Sequence, residues 1–244
     1  MKNLMMIVAA VSAMVAVAVD KEMELGGRIT LWPRDHGTFL FVDAQDAVPH
    51  EEVAELARRQ ARAFGIDCRA VKGAVPDIRT IPAQLSGLGA KGAIWVINDP
   101  AYPVSLGAME SGWGILNVAP ALNEHLEAEK QSDLIIKLAY RLFASIHGVG
   151  DSPMMPACVM KHAVGISGIE RLNCRNFSPE AHAKVNAYLS AAGYKTCKAG
   201  TYYEACIAGW APDPTNAVQK AIWEKVHAMP TKPIKILPPS KQKK

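Results

Sequence analysis

The sequence predicts an α/β fold with a mixed, mostly parallel sheet, an antiparallel edge strand and helices on the faces of the sheet. Segments of strand composition alternate with segments of helical periodicity between residues 28 and 118, which is typical of strand–helix–strand units. Residues 93–97 form an unbroken apolar run, as in a strand covered on both faces. Pro103 interrupts 102–106, and a proline that cannot donate to a central ladder places this segment at the edge.

The first strands and the first helix have recognisable boundaries. Residues 28–32 and 38–42 have strand composition, and Pro-Arg-Asp-His-Gly at 33–37 indicates a turn between them. A helix is predicted over 49–64, and Gly65 is placed to end it. Its predicted buried stripe consists of Val53, Leu56, Ala57 and Phe64.

The middle of the chain supplies the other strands and the longest helix. Strands are predicted at 68–71, 93–97, 102–106 and 113–118, with one helical turn within 81–88. A long helix is predicted over 131–147, because apolar residues recur along one face. These residues are Leu134, Ile135, Leu138, Leu142 and Ile146.

The C-terminal part is predicted to add two helices and a hairpin. Ser178-Pro179-Glu180 is typical of a helix start, and this helix is expected to end near Gly193. A hairpin-like segment is predicted over 195–208. Asp213-Pro214 opens a last helix, with Val218, Ile222 and Val226 as its apolar face.

Residues 1–18 are predicted to be a signal peptide. Lys2 precedes an apolar run from Leu4 to Val15, and Ala16-Val17-Ala18 has the small-X-small pattern of a cleavage site. The alternative is an uncleaved membrane anchor, but the run is shorter than the ~20 residues that a spanning helix needs. We therefore expect a secreted or periplasmic protein with no stable membrane span after cleavage.

The mature chain is expected to be one domain over 19–229, followed by a basic disordered tail over 230–244. The tail combines lysines with prolines and has little apolar surface to bury. The formal net charge of the whole chain is +4, a weak bias that does not indicate a nucleic-acid partner.

Five cysteines in an exported chain favour disulfides over metal ligation. Cys197 and Cys206 flank a predicted turn, and Cys158 and Cys174 bracket a second loop. Both pairs are expected to form disulfides, which leaves Cys68 unpaired. The alternative is that a reducing environment outside the cell keeps all five cysteines as thiols.

The order of elements, the Gly148-Val149-Gly150 break after the long helix and the following Cys158-Val159-Met160 resemble the metzincin zinc peptidases. The last three residues are similar to the Cys-X-Met of the methionine turn in archaemetzincins. The resemblance covers about residues 38–192. It implies a metzincin-like sheet, with Met160 beneath the position that a metal would take.

In that family, HExxHxxGxxH supplies three zinc ligands and a general base, because histidines four residues apart share one helical face. With Gly148 at the family's glycine, the histidine positions fall on Arg141, Ser145 and Asp151, and the glutamate position falls on Leu142. Leucine cannot take a proton, and arginine would repel a metal ion. The resemblance therefore implies a degenerate site without a metal or other cofactor.

A second alignment places Gly150 at the family's glycine and brings His147 to the second histidine position. The remaining positions then hold Phe143, Ala144 and Pro153, so this alignment does not restore the site either. His147 with Asp151 remains the alternative pair of metal ligands, for an enzyme whose other ligands the sequence does not identify.

Glu110, Trp113 and Asn117 lie on or just before the strand beside the predicted cleft. In a working metzincin the edge strand aligns substrate by strand addition, so these residues are candidates for contacting an extended peptide. The alternative is structural: Trp113 belongs to the core and Asn117 ties down a loop.

The leading hypothesis is an exported, non-catalytic metzincin-like domain that binds a peptide or an envelope component. The first alternative is a divergent metal-dependent peptidase or hydrolase, which would need zinc. The second is a purely structural periplasmic domain. Bound zinc separates the enzyme from the other two, and peptide binding separates the binding module from the structural domain.

Overall fold

The structure is a computed structural model that describes residues 24–102, 105–122, 125–151 and 157–228. The predicted signal peptide, 1–18, and the predicted tail, 230–244, lie outside these residues. The described chain forms two compact units, where we expected one domain over 19–229. The larger unit comprises residues 32–197, and the smaller unit joins 24–31 to 198–228. Within the described ranges, no helix combines the length and the hydropathy needed to cross a membrane.

The elements are labelled in chain order. The strands are β1 Arg28–Leu31, β2 Thr38–Asp43, β3 Asp67–Lys72, β4 Gly92–Ile97, β5 Ser105–Leu106, β6 Trp113–Asn117 and β7 Lys198–Thr201. The helices are α1 His50–Phe64, α2 Ile81–Gly87, α3 Ala128–Ile146, α4 Gly165–Glu170, α5 Pro179–Ala191, α6 Tyr202–Ile207 and α7 Ala217–His227. A short 3₁₀ turn, Ile78–Thr80, precedes α2.

A five-stranded sheet forms the centre of the larger unit, in the order β3-β2-β4-β6-β5. The pairs β2/β3, β2/β4 and β4/β6 are parallel, and β5 pairs antiparallel with β6 at the edge. This confirms the predicted mixed, mostly parallel sheet with an antiparallel edge strand. Of the predicted edge strand over 102–106, Ser105–Leu106 is strand, and residues 103–104 lie outside the described ranges.

Both faces of this sheet are covered, because successive side chains of each strand point to opposite faces. One core layer contains Phe39, Phe41, Ile94 and Val96, together with the buried sides of α1, α3 and α5. The other contains Leu40, Val42, Trp95, Ile97 and Ile115, with Ile81 of α2. Every residue of β4 is buried, which confirms the prediction from its unbroken apolar run.

The helices that lead to the site end as their glycines predict. Gly65 has a φ of 65° and caps α1 by donating a 2.8 Å hydrogen bond to Ala61 O, a left-handed conformation that glycine adopts without a steric penalty. The long helix α3 begins at Ala128, three residues before its predicted start, and ends at Ile146. Gly148 follows with a φ of 83°, so the chain turns sharply after α3.

The smaller unit corrects one strand prediction and supplies a pairing that was not predicted. Strand β1 pairs antiparallel with β7, with Arg28 opposite Thr201, whereas β2 belongs to the five-stranded sheet. The predicted hairpin over 195–208 is a strand followed by helix α6. A capping box explains the change: Glu204 N–H donates to the Thr201 hydroxyl at 3.3 Å, and Thr201 N–H donates to the Glu204 carboxylate at 2.9 Å.

The last helix, α7, also differs from its predicted packing. Val218 is 47% exposed, whereas Gln219 is buried. The Gln219 amide donates to Gly26 O at 3.0 Å, and its oxygen accepts from the Thr215 N–H and hydroxyl at 2.9 Å. These hydrogen bonds satisfy the buried amide. Gln219 is therefore buried in this helix, whereas Val218, which was predicted to belong to the apolar face, is exposed.

Candidate functional site

A cavity of about 280 Å³ opens in the larger unit, between α3, the edge strand and the turn after α3. It brings together four residues singled out by sequence, Arg141, Leu142, Ser145 and Asp151, with Met160. Arg141 and Ser145 are four residues apart and share one helical face. The complete lining is Ser105, Gly107, Arg141, Leu142, Ser145, Val149, Gly150, Asp151 and Met160.

The Arg141 guanidinium is fixed by three hydrogen bonds. Its Nη1 donates to the carbonyl oxygens of Val159 at 2.7 Å and Lys161 at 2.8 Å, and its Nη2 donates to Asp151 Oδ1 at 2.7 Å. The side chain is only 14% exposed. Arg141 therefore ties α3 to the segment around Met160 and places a positive charge where the family resemblance expects a metal ligand.

Asp151 is shared between Arg141 and His162. One carboxylate oxygen accepts from Arg141, and the other lies 2.9 Å from His162 Nδ1. The Asp151 side chain is 43% exposed and that of His162 is 63% exposed. Sequence analysis did not predict the Asp151–His162 contact. The sequence feature that could have indicated it is the position of His162 directly after the segment that resembles a methionine turn.

Leu142, which the family resemblance aligns with the general base, is a packed apolar side chain. It is buried, and two glycines make room for it. An added Cβ would lie 3.0 Å from Leu142 Cδ1 at either Gly107 or Gly114, closer than side-chain carbons normally approach. The prediction that Leu138, Leu142, Ile146 and Met160 are buried is confirmed.

The segment 158–161 forms a tight turn beneath the cavity, as its resemblance to a methionine turn predicts. Lys161 N–H donates to Cys158 O at 3.0 Å, which closes the turn. Cys158 is fully buried, and its sulfur accepts hydrogen bonds from the N–H groups of Met160 and Ser178. Met160 is also buried and lines the cavity.

These residues do not fit a catalytic zinc ion. A guanidinium has no lone pair to donate, a leucine cannot activate water, and both oxygens of Asp151 already have partners. Across residues 24–102, 105–122, 125–151 and 157–228, no group of three or more His, Cys, Asp and Glu side chains is placed to hold a metal ion.

His147, the alternative ligand, lies away from the lining of the cavity. It is 1% exposed, and its Nδ1 is 2.6 Å from Phe143 O. Its ring packs against Phe39, Phe143 and Tyr188, and its Nε2 has no hydrogen-bond partner among the described residues. Burial lowers the pKa of this imidazole to about 4. The structure therefore does not pair His147 with Asp151.

The three candidate peptide contacts occupy different environments, and none lines the cavity. Glu110 is exposed, with a φ of 61°. Trp113 packs against the core layer that contains Trp95. Asn117 is buried: its amide donates to Asp99 O at 2.6 Å and Tyr102 O at 3.2 Å, and its oxygen accepts from two backbone N–H groups. Asn117 thus holds the loop after β4, which is the structural alternative.

The predicted disulfides are not present. Cys68, Cys158, Cys174, Cys197 and Cys206 are all free. The sulfur of Cys158 already accepts backbone hydrogen bonds, and the Cys174 thiol donates to Ala157 O at 2.7 Å. These thiols serve as hydrogen-bonding groups in the turn, so the expectation of the pairs Cys158–Cys174 and Cys197–Cys206 is corrected.

Comparison of the structure with solved structures identifies the fold. The chain is similar to an archaemetzincin from Methanopyrus kandleri, with 15% identity, a TM-score of 0.51 and coverage of 66% of this chain and 99% of that chain. The chain is also similar to an archaemetzincin from Archaeoglobus fulgidus, with 14% identity, a TM-score of 0.44 and coverage of 60% of this chain and 98% of that chain. A third similar structure is a zinc-dependent peptidase from Methanocorpusculum labreanum, with 13% identity, a TM-score of 0.46 and coverage of 62% of this chain and 100% of that chain.

No protein-family model matches the chain, and no curated protein matches it by sequence. The structural likeness, at this identity, concerns the fold. Together with the parallel sheet, the long helix α3 and the turn that places Met160 beneath the cavity, it leads to one conclusion: the chain has an archaemetzincin-like fold.

Proposed function

We propose that this protein is an exported, non-catalytic archaemetzincin-like domain that binds an extended peptide or a component of the cell envelope. The observation that supports this proposal most strongly is the Arg141 guanidinium, held by Val159 O, Lys161 O and Asp151 at the position of a metal ligand. A cation fixed there opposes the binding of a second cation. Leu142 supports the same proposal, because it removes the general base.

Peptide binding is supported by the edge of the sheet. Strand β5 pairs with β6 on one side, and Ser105 of β5 also lines the cavity. A peptide that added to β5 by backbone hydrogen bonds would therefore pass the mouth of the cavity. No nucleic-acid partner and no resident cofactor form part of this proposal.

Metal analysis and activity assays test the non-catalytic part. Protein purified without a chelator should contain far less than one zinc per chain, and it should not hydrolyse a mixed fluorogenic peptide library with or without added zinc. About one zinc per chain, with hydrolysis that is lost on changing His147 or Asp151, would establish the alternative of a divergent metal-dependent hydrolase, which the fold by itself also favours.

Peptide capture tests the binding part. The immobilised mature chain should retain peptides from a random library, and Leu106→Pro should retain fewer, because proline lacks the backbone N–H that strand addition can use. Wild-type protein that retains no peptide would leave an envelope component as the ligand or the purely structural domain as the remaining interpretations.

A further inference from the structure

The cavity presents a buried cation whose hydrogen-bonding capacity is only partly used. A guanidinium has five N–H groups, and the hydrogen bonds to Val159, Lys161 and Asp151 use three of them. The other two N–H groups have no hydrogen-bond partner among the described residues, and Arg141 lines the cavity. Ser105 and Ser145 line the same space and add hydroxyl donors.

Asp151 shows which chemical group fits this guanidinium. Its carboxylate lies 2.7 Å from Arg141 Nη2, which is the geometry of a charge-assisted hydrogen bond. Asp151 is 43% exposed and also has His162 as a partner. An incoming carboxylate can therefore replace it on Arg141, while Asp151 remains hydrogen-bonded to His162 and in contact with water.

The edge strand explains why a peptide needs such an anchor. Among the described residues β5 consists of Ser105–Leu106, and backbone pairing with these two residues supplies few hydrogen bonds. An ionic contact beside the strand increases the affinity for the peptide. It also fixes the direction in which the peptide runs along β5, because one end of the peptide must reach Arg141.

We propose that the cavity binds a carboxylate of a peptide through Arg141, with Asp151 acting as the internal carboxylate that the ligand displaces. This inference rests on the proposed peptide-binding function and names the chemical class that the cavity selects. The C-terminal carboxylate of the peptide and the side chain of an Asp or Glu residue share this chemistry, and the experiment distinguishes them.

The experiment uses two pools of random decapeptides that differ only in a free-acid or amidated C-terminus. Each pool is passed over the immobilised mature chain, and the retained peptides are sequenced and their affinities measured. Arg141→Gln removes the cation, and Asp151→Asn removes the competing carboxylate. Arg79→Gln is the matched control, because the Arg79 side chain is 88% exposed and bonds only its neighbour Asp77 among the described residues.

Wild-type protein should retain carboxylate-bearing peptides, and Arg141→Gln should lose this preference while Arg79→Gln keeps it. Asp151→Asn should bind the same peptides about fivefold more tightly, the factor expected from removing a partly exposed ion-pair competitor. Because Arg141→Gln also removes the three hydrogen bonds that tie α3 to Val159, Lys161 and Asp151, Asp151→Asn provides the second test. Unchanged or weaker affinity in this variant overturns the proposal.

The two pools separate the remaining outcomes. Retention from the free-acid pool alone assigns the C-terminal carboxylate, and retention from both pools with enrichment of Asp or Glu assigns a side-chain carboxylate. Equal retention without such enrichment overturns the carboxylate proposal but leaves peptide binding intact. Retention from neither pool overturns both the carboxylate proposal and the peptide-binding part of the proposed function.

Discussion

Leu142 of α3 packs directly against Gly114 of β6: an added Cβ on Gly114 would lie 3.0 Å from Cδ1 and 3.1 Å from Cδ2 of Leu142. The position that carries the general base in a zinc peptidase thus joins the helix to the sheet. The contact is close because glycine has no side chain there, and it makes Leu142 part of the core.

We expect Leu142→Ala to destabilise the protein by about 2–5 kcal/mol, because truncating a buried leucine leaves a cavity. For a protein of this size the melting temperature should fall by roughly 4–20 °C. Thermal or urea denaturation followed by circular dichroism measures the change. Leu88, which is 47% exposed, provides the matched control, and Leu88→Ala should have little effect. A Leu142→Ala variant as stable as wild type would show that the side chain is not packed as described.

His147 should make folding stability depend on pH. The folded protein binds this proton only near pH 4, whereas the unfolded chain binds it near pH 6.5. Between these values the unfolded state holds more protons, so the free energy of unfolding falls as the pH falls from 6.5 to 4. The loss from this one group should be on the order of 3 kcal/mol.

Urea denaturation at pH 7 and at pH 4, in wild type and in His147→Phe, isolates this contribution. Phenylalanine suits a site lined by Phe39, Phe143 and Tyr188 and does not titrate. The variant should therefore lose less stability on acidification than wild type. Identical losses in both proteins would contradict the buried, neutral imidazole.

The free cysteines predict a simple thiol count. Unreduced protein that is unfolded in guanidinium and alkylated should gain five alkyl groups by intact mass. In the native protein Cys158 and Cys206 should react slowly with the alkylating reagent, because both are buried. Burial also raises the pKa of the Cys206 thiol, which reduces the fraction of reactive thiolate. A gain of only three alkyl groups would reveal a disulfide.

The N-terminal segment predicts cleavage after Ala18. When the full chain is expressed in a cell with a general secretion system, the exported product should begin at Val19, as determined by intact mass and N-terminal sequencing. Replacing Ala16 and Ala18 by larger residues should prevent cleavage and leave a product that is heavier by residues 1–18. A wild-type product that retains these residues would favour the membrane-anchor alternative.

Sequence by itself determined the fold class, most strand positions and the burial of Leu142. These properties depend on local patterns: the apolar run of β4 indicates a strand covered on both faces, and the spacing of Leu138, Leu142 and Ile146 assigns them to one face of α3. The alignment that puts Arg141 and Leu142 at a ligand position and the general-base position also came from sequence, because it depends on fixed offsets from Gly148.

Only the tertiary structure decided which distant residues meet. Arg28 and Thr201 are opposite each other in β1 and β7, and Asp151 lies between Arg141 and His162. The spacing of residues specifies the face of a helix or strand but not its partner, so the pairing of β1 with β7 was not predicted, and His147 was considered for a cavity that it does not line. Partner choice depends on the packing of the whole core, in which elements far apart in the chain bury their apolar faces together.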